Sequence, residues 1–381
     1  GGGKAEKPAG RSVGGPANRQ AGGMIDAPAQ GARGAIRLWL LVLFGLVACM
    51  IAVGGLTRLT DSGLSITEWR PVMGAIPPLS EADWALEFGK YQASPQYKLM
   101  NAGMDLSSFK GIFWWEWAHR QLGRVIGLVW ALGFLGFLLA RRIPAGWTGR
   151  LLGLGALGGL QGAIGWWMVS SGLSGSMVSV ASYRLATHLG LAFAILGLCA
   201  TYIFQLGRAE TDLMQARRVG ERRLVGMATG VMHLLFLQIL LGALVAGIDA
   251  GRAYPTWPLM GDGFFPPDPF AIVPLWRNFF EDPGLVQFLH RMTGYGLFIL
   301  AILVWLRARK SAYQATQGAF NAVMIMLVLQ VALGIYTALT SAQMHVALTH
   351  QLGAVALWVL VIRARHMAKF PIQGSIRKGT A

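Results

Sequence analysis

Eight long apolar runs constrain this chain more than any other feature, because each approaches the roughly 20 residues that a helix needs to cross a bilayer. They cover residues 36–56, 113–140, 151–170, 185–206, 224–248, 285–306, 320–339 and 346–362. Lipid offers the backbone no hydrogen-bond partner, so a spanning segment is a helix or a strand of a closed barrel. The runs lack the alternating polarity of barrel strands. The sequence therefore predicts an all-α integral membrane protein with eight transmembrane helices.

The positive charge of the chain is distributed unevenly along the sequence. The net charge is +16, although only 13% of the residues are charged. Most Lys and Arg residues lie in the two tails and in the connections after spans two, four and six, whereas most acidic residues lie in the other connections. This is the positive-inside pattern. It predicts that both termini are cytoplasmic, and it explains the basic balance without a nucleic-acid partner.

The second half of the sequence repeats the first. The segment "QGAIGWWMVSSGL" from Gln161 resembles "QVALGIYTALTSA" from Gln330, and "THLGLA" resembles "THQLGA". A His-Arg-x-x-Gly motif occurs at His119 and again at His290. These three shared motifs occur in the same order in spans two to four and in spans six to eight. They predict two tandem four-helix bundles related by a pseudo-two-fold axis along the membrane normal.

The repeat also divides the chain. We predict a disordered cytoplasmic tail (1–34), an N-terminal four-helix half (35–207), a basic cytoplasmic linker (208–223), a C-terminal four-helix half (224–365) and a basic cytoplasmic tail (366–381). The long connections after spans one and five are expected to form ordered caps over the outer face, because structureless loops of this length are unusual.

Each even-numbered span carries one histidine in its first turns: His119, His188, His290 and His350. At about 1.5 Å of rise per residue, all four are expected within about 10 Å of the outer boundary. Any one of them alone could be a helix-packing histidine. Zinc and copper sites usually need three or four close ligands, whereas two histidines on facing helices suit a haem iron held from both sides. The pattern predicts one haem site per half.

Arginines near the outer ends of the spans are candidate partners for the haem propionates. Snorkelling to the interface is the alternative explanation for each. The candidates are Arg58, Arg120, Arg124, Arg252 and Arg291. The other histidines are assigned no ligand role: His233 near the inner end of span five, His345 at a helix start, and His366 in the basic tail.

One position breaks the repeat. Glu116 precedes His119 by one helical turn, whereas Gln287 occupies the matching position before His290. A carboxylate beside a haem can act as a base, stabilise positive charge or bind water, and an amide can only hydrogen-bond. The first half is therefore predicted to be the reactive one. The alternative is a solvated glutamate that favours the helix dipole.

Several segments together resemble haem A synthase in its longer proteobacterial and mitochondrial form, which lacks a cysteine pair in the outer loop. They are "GGLTRLTDSGLSITEWRPVMGAIPP", "EWAHRQLGRVIG", "ATHLGLA", "FLHRMTGYG" and "LTHQLGA". The resemblance runs from about residue 36 to 365. It implies a multi-pass enzyme of the bacterial or mitochondrial inner membrane. Such an enzyme oxidises a methyl group of haem O to a formyl group by successive hydroxylation, giving haem A for terminal oxidases.

The resemblance also implies roles for individual residues. Glu116 matches the essential carboxylate, His119 and His188 would face the substrate haem O, and His290 and His350 would ligate a resident haem b. The implied partners are the enzyme that delivers haem O, an electron-transfer partner of unknown identity and the lipid bilayer. Assembly into a homo-oligomer is left open.

Two other functions explain part of the pattern. A di-haem b-type cytochrome that only transfers electrons explains the four histidines and the repeat, but not Glu116 opposite Gln287. A transporter built on a parallel repeat, with the histidines as a proton relay, would bind no haem.

Overall fold

The computed structural model describes residues 1–3 and 31–376 and is helical along most of that part of the chain. The predicted tails, 1–34 and 366–381, thus lie partly outside the described residues. The α-helices, numbered in chain order, are α1 (Arg33–Leu59), α2 (Glu81–Gln92), α3 (Pro95–Met100), α4 (Leu106–Leu139), α5 (Thr148–Gly172), α6 (Ser182–Leu206), α7 (Glu210–Arg218), α8 (Arg222–Gly247), α9 (Asn278–Glu281), α10 (Pro283–Ala308), α11 (Gln314–Leu339) and α12 (Met344–Lys369).

Eight helices of the described chain are long and apolar enough to cross a membrane: α1, α4, α5, α6, α8, α10, α11 and α12. They confirm the eight predicted spans and the all-α class. The largest differences in a boundary are in α4, which begins at Leu106 and not at residue 113, and in α12, which ends at Lys369 and not at residue 362. Asp105 caps α4 by accepting a 2.8 Å hydrogen bond from the backbone N–H of Ser108. The 34-residue α4 spans about 50 Å at 1.5 Å per residue, more than the ~30 Å apolar layer.

The spanning helices pair in the same way in both halves. Helix α1 contacts α4 and α6, and α5 contacts the same two; likewise α8 contacts α10 and α12, and α11 contacts the same two. Between the halves, α6 contacts α8, α12 contacts α1, and α6 contacts α12. A two-fold axis that exchanges α1 with α8 and α6 with α12 would map this set of pairings onto itself. The pairings therefore agree with the predicted axis, which remains a prediction.

Apolar packing joins the two halves around α6 and α12. The largest buried cluster combines Phe193 and Leu196 of α6 with Trp358 and Ile362 of α12. Trp358 also donates a 2.9 Å hydrogen bond from its indole nitrogen to the backbone oxygen of Phe193. An indole N–H buried in apolar surroundings needs such a partner. This contact fixes the relative height of the two helices that carry His188 and His350.

The connection between α1 and α4 is an ordered structure that contains α2 and α3. Trp84 and Tyr91 pack on Phe109 and Phe113 in a buried aromatic cluster at the outer end of α4. Ser80 begins α2 with a reciprocal capping box that includes the side chain of Asp83. The expectation of an ordered cap is met here by a helical subdomain.

Three details of the sequence interpretation need correction. His366 does not lie in a basic tail: α12 continues to Lys369, and His366 is buried in its last turn against Phe204. His233 is in the middle of α8, because that helix already begins at Arg222. The segment 208–223 is not only a linker, because it contains α7, whose apolar residues Leu213 and Ala216 are buried against Phe370.

Candidate functional site

The four predicted histidines form two facing pairs. His119 of α4 and His188 of α6 have ring centroids 6.3 Å apart. His290 of α10 and His350 of α12 have ring centroids 6.4 Å apart. Within each pair the residues are far apart in sequence. The helices that carry them, α4 and α6 or α10 and α12, pack against the same two neighbours, α1 and α5 or α8 and α11, and this arrangement brings the histidines together. All four side chains are half-buried.

The spacing in each pair fits one iron ion held from opposite sides. A metal–imidazole bond of about 2 Å on each side, plus about 1 Å from each nitrogen to its ring centre, separates two ring centroids by about 6 Å. Among the described residues, no group of three or more His, Cys, Asp and Glu side chains could hold a metal ion. The donor set thus suits an iron whose remaining ligands come from a porphyrin, as in bis-histidine haem proteins.

A glycine on a neighbouring helix packs against each histidine ring. A β-carbon built at these glycines would lie 3.3 Å from Nε2 of His119 for Gly54, 3.0 Å from Cε1 of His188 for Gly165, 3.2 Å from Cε1 of His290 for Gly242, and 3.1 Å from Cε1 of His350 for Gly334. The sequence interpretation did not identify these glycines as site residues. The Gln-x-x-x-Gly spacing shared by residues 161–165 and 330–334 could have indicated two of these glycines.

The glutamines of that spacing bind the histidine-bearing helices. Three amide nitrogens donate to the backbone oxygens of histidines: Gln161 to His188 at 2.8 Å, Gln238 to His290 at 2.8 Å, and Gln330 to His350 at 2.6 Å. His119 is the exception. Met50 occupies the position that Gln238 has in the other half: Met50 packs against Gly123 as Gln238 packs against Gly294.

Packing, more than side-chain hydrogen bonding, orients the rings. The Nδ1 atoms of His188, His290 and His350 are buried and have no hydrogen-bond partner among the described residues. Metal-ligating histidines usually donate this N–H to a carboxylate or a carbonyl. The glycines on the neighbouring helices lie so close to these three rings that they limit the orientations the rings can adopt.

Glu116 is buried, with 2% of its surface exposed, and both of its oxygens accept hydrogen bonds. Its Oε1 accepts a 2.7 Å hydrogen bond from Nη2 of Arg120, and its Oε2 accepts from Oγ of Ser65 at 2.8 Å and from the backbone N–H of Ile66 at 2.7 Å. The alternative of a solvated glutamate at a helix start is therefore wrong, because α4 begins well before Glu116.

Gln287 takes the same position in the second half, but it donates a hydrogen bond to the outer connection where Glu116 accepts hydrogen bonds from it. Its Oε1 accepts a 2.7 Å hydrogen bond from Arg291, as Glu116 does from Arg120. Its Nε2 donates to the backbone oxygen of Ala250 at 2.7 Å. At the outer connection, Oε2 of Glu116 thus faces two donors, whereas Nε2 of Gln287 faces an acceptor.

The candidate arginines hold the outer connections against the spanning helices. Arg120 donates to the backbone oxygens of Ile66 and Glu68, and Arg291 donates to those of Tyr254 and Thr256. The remaining three differ: Arg124 binds the backbone oxygens of Arg70 and Pro71, Arg58 binds Asp61, Asp249 and the backbone oxygen of Gly247, and Arg252 is exposed. Their contact with haem propionates remains a prediction.

The helices and the two histidine pairs define a multi-pass membrane protein with two sites, each suited to an iron held between two histidines. Comparison with known proteins agrees with this class. The chain belongs to the cytochrome oxidase assembly protein family COX15-CtaA, whose family model matches residues 37–362.

Curated relatives of the chain carry a common name. The chain is 66% identical over 357 residues to the Heme A synthase of Ruegeria sp. (strain TM1040), covering 93% of this chain and 94% of the relative. It is 63% identical over 362 residues to the Heme A synthase of Paracoccus denitrificans (strain Pd 1222), covering 95% of each. It is 62% identical over 367 residues to the Heme A synthase of Cereibacter sphaeroides (strain ATCC 17029 / ATH 2.4.9), covering 94% of each.

Proposed function

We propose that this protein is a haem A synthase, an oxidoreductase that converts a methyl group of haem O to a formyl group. The relatives named Heme A synthase, which match nearly the full chain, support this assignment. The structural observation that carries it is the pair His119–His188, 6.3 Å apart, with the buried Glu116 one helical turn before His119. A site that only transfers electrons does not need a buried carboxylate at this position.

In this proposal the two halves have different roles: the first binds the substrate haem and the second binds a resident haem. His119 and His188 would face the substrate haem O, and His290 and His350 would hold a resident haem b. Haem b, when bound, supplies one-electron redox chemistry. The residues of the second half place it: Gln238 and Gln330 fix the heights of His290 and His350 through their backbone oxygens.

Glu116 supplies a fixed negative charge to the substrate half. Oxidation of a methyl group withdraws electrons from carbon, so positive charge develops there. A buried carboxylate can stabilise that charge, because electrostatic interactions are strong where water is excluded. The same carboxylate can instead orient the attacking water. Its contacts with Arg120, Ser65 and the backbone of Ile66 hold it in one place.

The location and partners follow from the same proposal. The protein lies in the inner membrane of a bacterium, with both termini in the cytoplasm as the positive-inside pattern indicates. The outer connections then cover the site on the opposite side. The protein receives haem O from the enzyme that makes it and passes electrons to a separate acceptor. Reporter fusions at residue 209 and at residue 267, in two connections predicted on opposite sides, test this orientation.

The function is tested in cells that make haem O and lack their own haem A synthase. Wild-type protein is expected to yield haem A in extracts, and Glu116→Gln is expected to retain the haem b spectrum while haem O accumulates. Glu81→Gln, at an exposed position in the first turn of α2, is the control and is expected to retain haem A formation. Normal haem A formation by Glu116→Gln would refute the role of the carboxylate. Haem b without any haem A from wild type would favour the di-haem cytochrome, and no haem at all would favour the transporter.

A further inference from the structure

The connections after α1 and α8 have matching backbone structures. Asp61 and Asp249 both adopt the left-handed conformation, with φ of 52° and 54°. Arg120 binds the backbone oxygens of residues 66 and 68, and Arg291 binds those of residues 254 and 256. Residues 61–68 therefore correspond one to one with residues 249–256. In this register Ser62 matches Ala250, and Ser65 matches Ala253.

Ser65 is the side chain that differs at the carboxylate. It is 1% exposed, and its Oγ lies 2.8 Å from Oε2 of Glu116. The same Oγ lies 2.8 Å from the backbone oxygen of Ser62 and 3.2 Å from that of Ile112. A hydroxyl has one proton to donate, and hydrogen bonds to an ionised acceptor are the stronger ones. The carboxylate is therefore the preferred acceptor.

The second half has neither the hydroxyl nor the carboxylate. Ala253 offers no donor, and Gln287 turns its amide nitrogen to the backbone oxygen of Ala250. Each half thus pairs donors with acceptors: in the first half Ser65 and the N–H of Ile66 donate to Glu116, and in the second half Gln287 donates to the backbone oxygen of Ala250. The two differences between the halves belong to one local arrangement.

We propose that Ser65 is a positioning residue for Glu116 in the reaction of the substrate half. A carboxylate has about four acceptor sites on its two oxygens. Ser65 and the N–H of Ile66 occupy both sites of Oε2, and Arg120 occupies one site of Oε1. The remaining acceptor site belongs to Oε1. Ser65 thereby determines which oxygen receives a hydrogen bond from water or from a hydroxyl group formed on the substrate. This inference rests on the proposed function.

The experiment compares full-length variants in membranes of cells that make haem O. The measurements are the rate of haem A formation, the haem b absorbance per protein and the temperature at which haem b is lost. Ser65→Ala is expected to slow haem A formation at least about tenfold, the effect of losing one hydrogen bond to a charged group, with haem b unchanged. Ser65→Thr keeps the hydroxyl and is expected to restore most of the rate. Ala253→Ser, at the matching exposed position, is the control and is expected to change none of the three readouts.

A double variant separates positioning from folding. Ser65→Ala combined with Glu116→Gln recreates the arrangement of the second half, so we expect wild-type haem b stability and no haem A. Haem A formation at the wild-type rate by Ser65→Ala overturns the proposal alone. Equal loss of haem b and haem A in both Ser65→Ala and Ser65→Thr also overturns it, because the role would then be structural. If wild type forms no haem A, the proposed function itself has failed, and the positioning role falls with it.

Discussion

Replacing Gly242 by alanine tests whether packing against glycine positions His290 in the proposed haem b site. A β-carbon at Gly242 would lie 3.2 Å from Cε1 of His290, closer than ordinary van der Waals contact. Overpacking of this kind costs about 1–3 kcal/mol, whereas the substitution by itself favours a helix by about 1 kcal/mol. If the His290 ring moves to relieve this contact, we expect the affinity for haem b to fall by about 5- to 150-fold.

The assay is the retention of haem b by purified protein. The haem b absorbance per protein and the rate of haem loss to a scavenger are measured for Gly242→Ala and for Gly230→Ala. Gly230 lies on the same helix, α8, and a β-carbon there has no neighbour within 4 Å. Gly230→Ala therefore gains the same helix propensity as Gly242→Ala but makes no contact with a histidine ring. We expect faster haem loss in Gly242→Ala only.

The first half provides a second readout. A β-carbon at Gly165 would lie 3.0 Å from Cε1 of His188. We expect Gly165→Ala to reduce haem A formation and to leave haem b in place. Equal haem retention by Gly242→Ala and Gly230→Ala would refute the packing argument, and loss of haem b in Gly165→Ala would refute the division between the halves.

Three further predictions concern the scaffold. Gln330→Leu removes an interhelical hydrogen bond and is expected to lower the free energy of unfolding by about 1 kcal/mol, measured by thermal unfolding in detergent. Gly133→Ala would place a β-carbon against the buried indole ring of Trp39 between α4 and α1 and is expected to destabilise the protein by at least about 1 kcal/mol, whereas Gly136→Ala, in open space on the same helix, is expected not to do so. Hydrogen bonds from Ser108 lower the pKa of Asp105, so its cap is fully stabilising above the unfolded pKa of about 3.9 and is lost as pH falls through the lower folded value. Proteolysis of the connection before α4 is therefore expected to accelerate in that acidic range. Asp105→Ala is expected to weaken this pH dependence, and the cap at Asp83, whose pKa is also lowered by hydrogen bonds, keeps the rest.

Local sequence information was sufficient for the spanning helices and the candidate ligands. A run of apolar residues forms a helix in lipid whatever its neighbours are, since the backbone must satisfy its own hydrogen bonds. The repeated marks around His119 and His290 then placed the ligands at matching depths. The outer ends were less predictable, because α4 continues into the aromatic cluster of the first connection, where hydropathy no longer reports helix length.

The sequence by itself determined the eight spans, the repeat, the four histidines and the contrast between Glu116 and Gln287. Only the tertiary structure decided what those residues touch. The 6.3 Å pairing of His119 with His188, and the contact of Ser65 with Glu116, join residues that are distant in sequence. The physical reason is that hydropathy and periodicity are properties of one segment, whereas a donor facing an acceptor is a property of two segments brought together by packing.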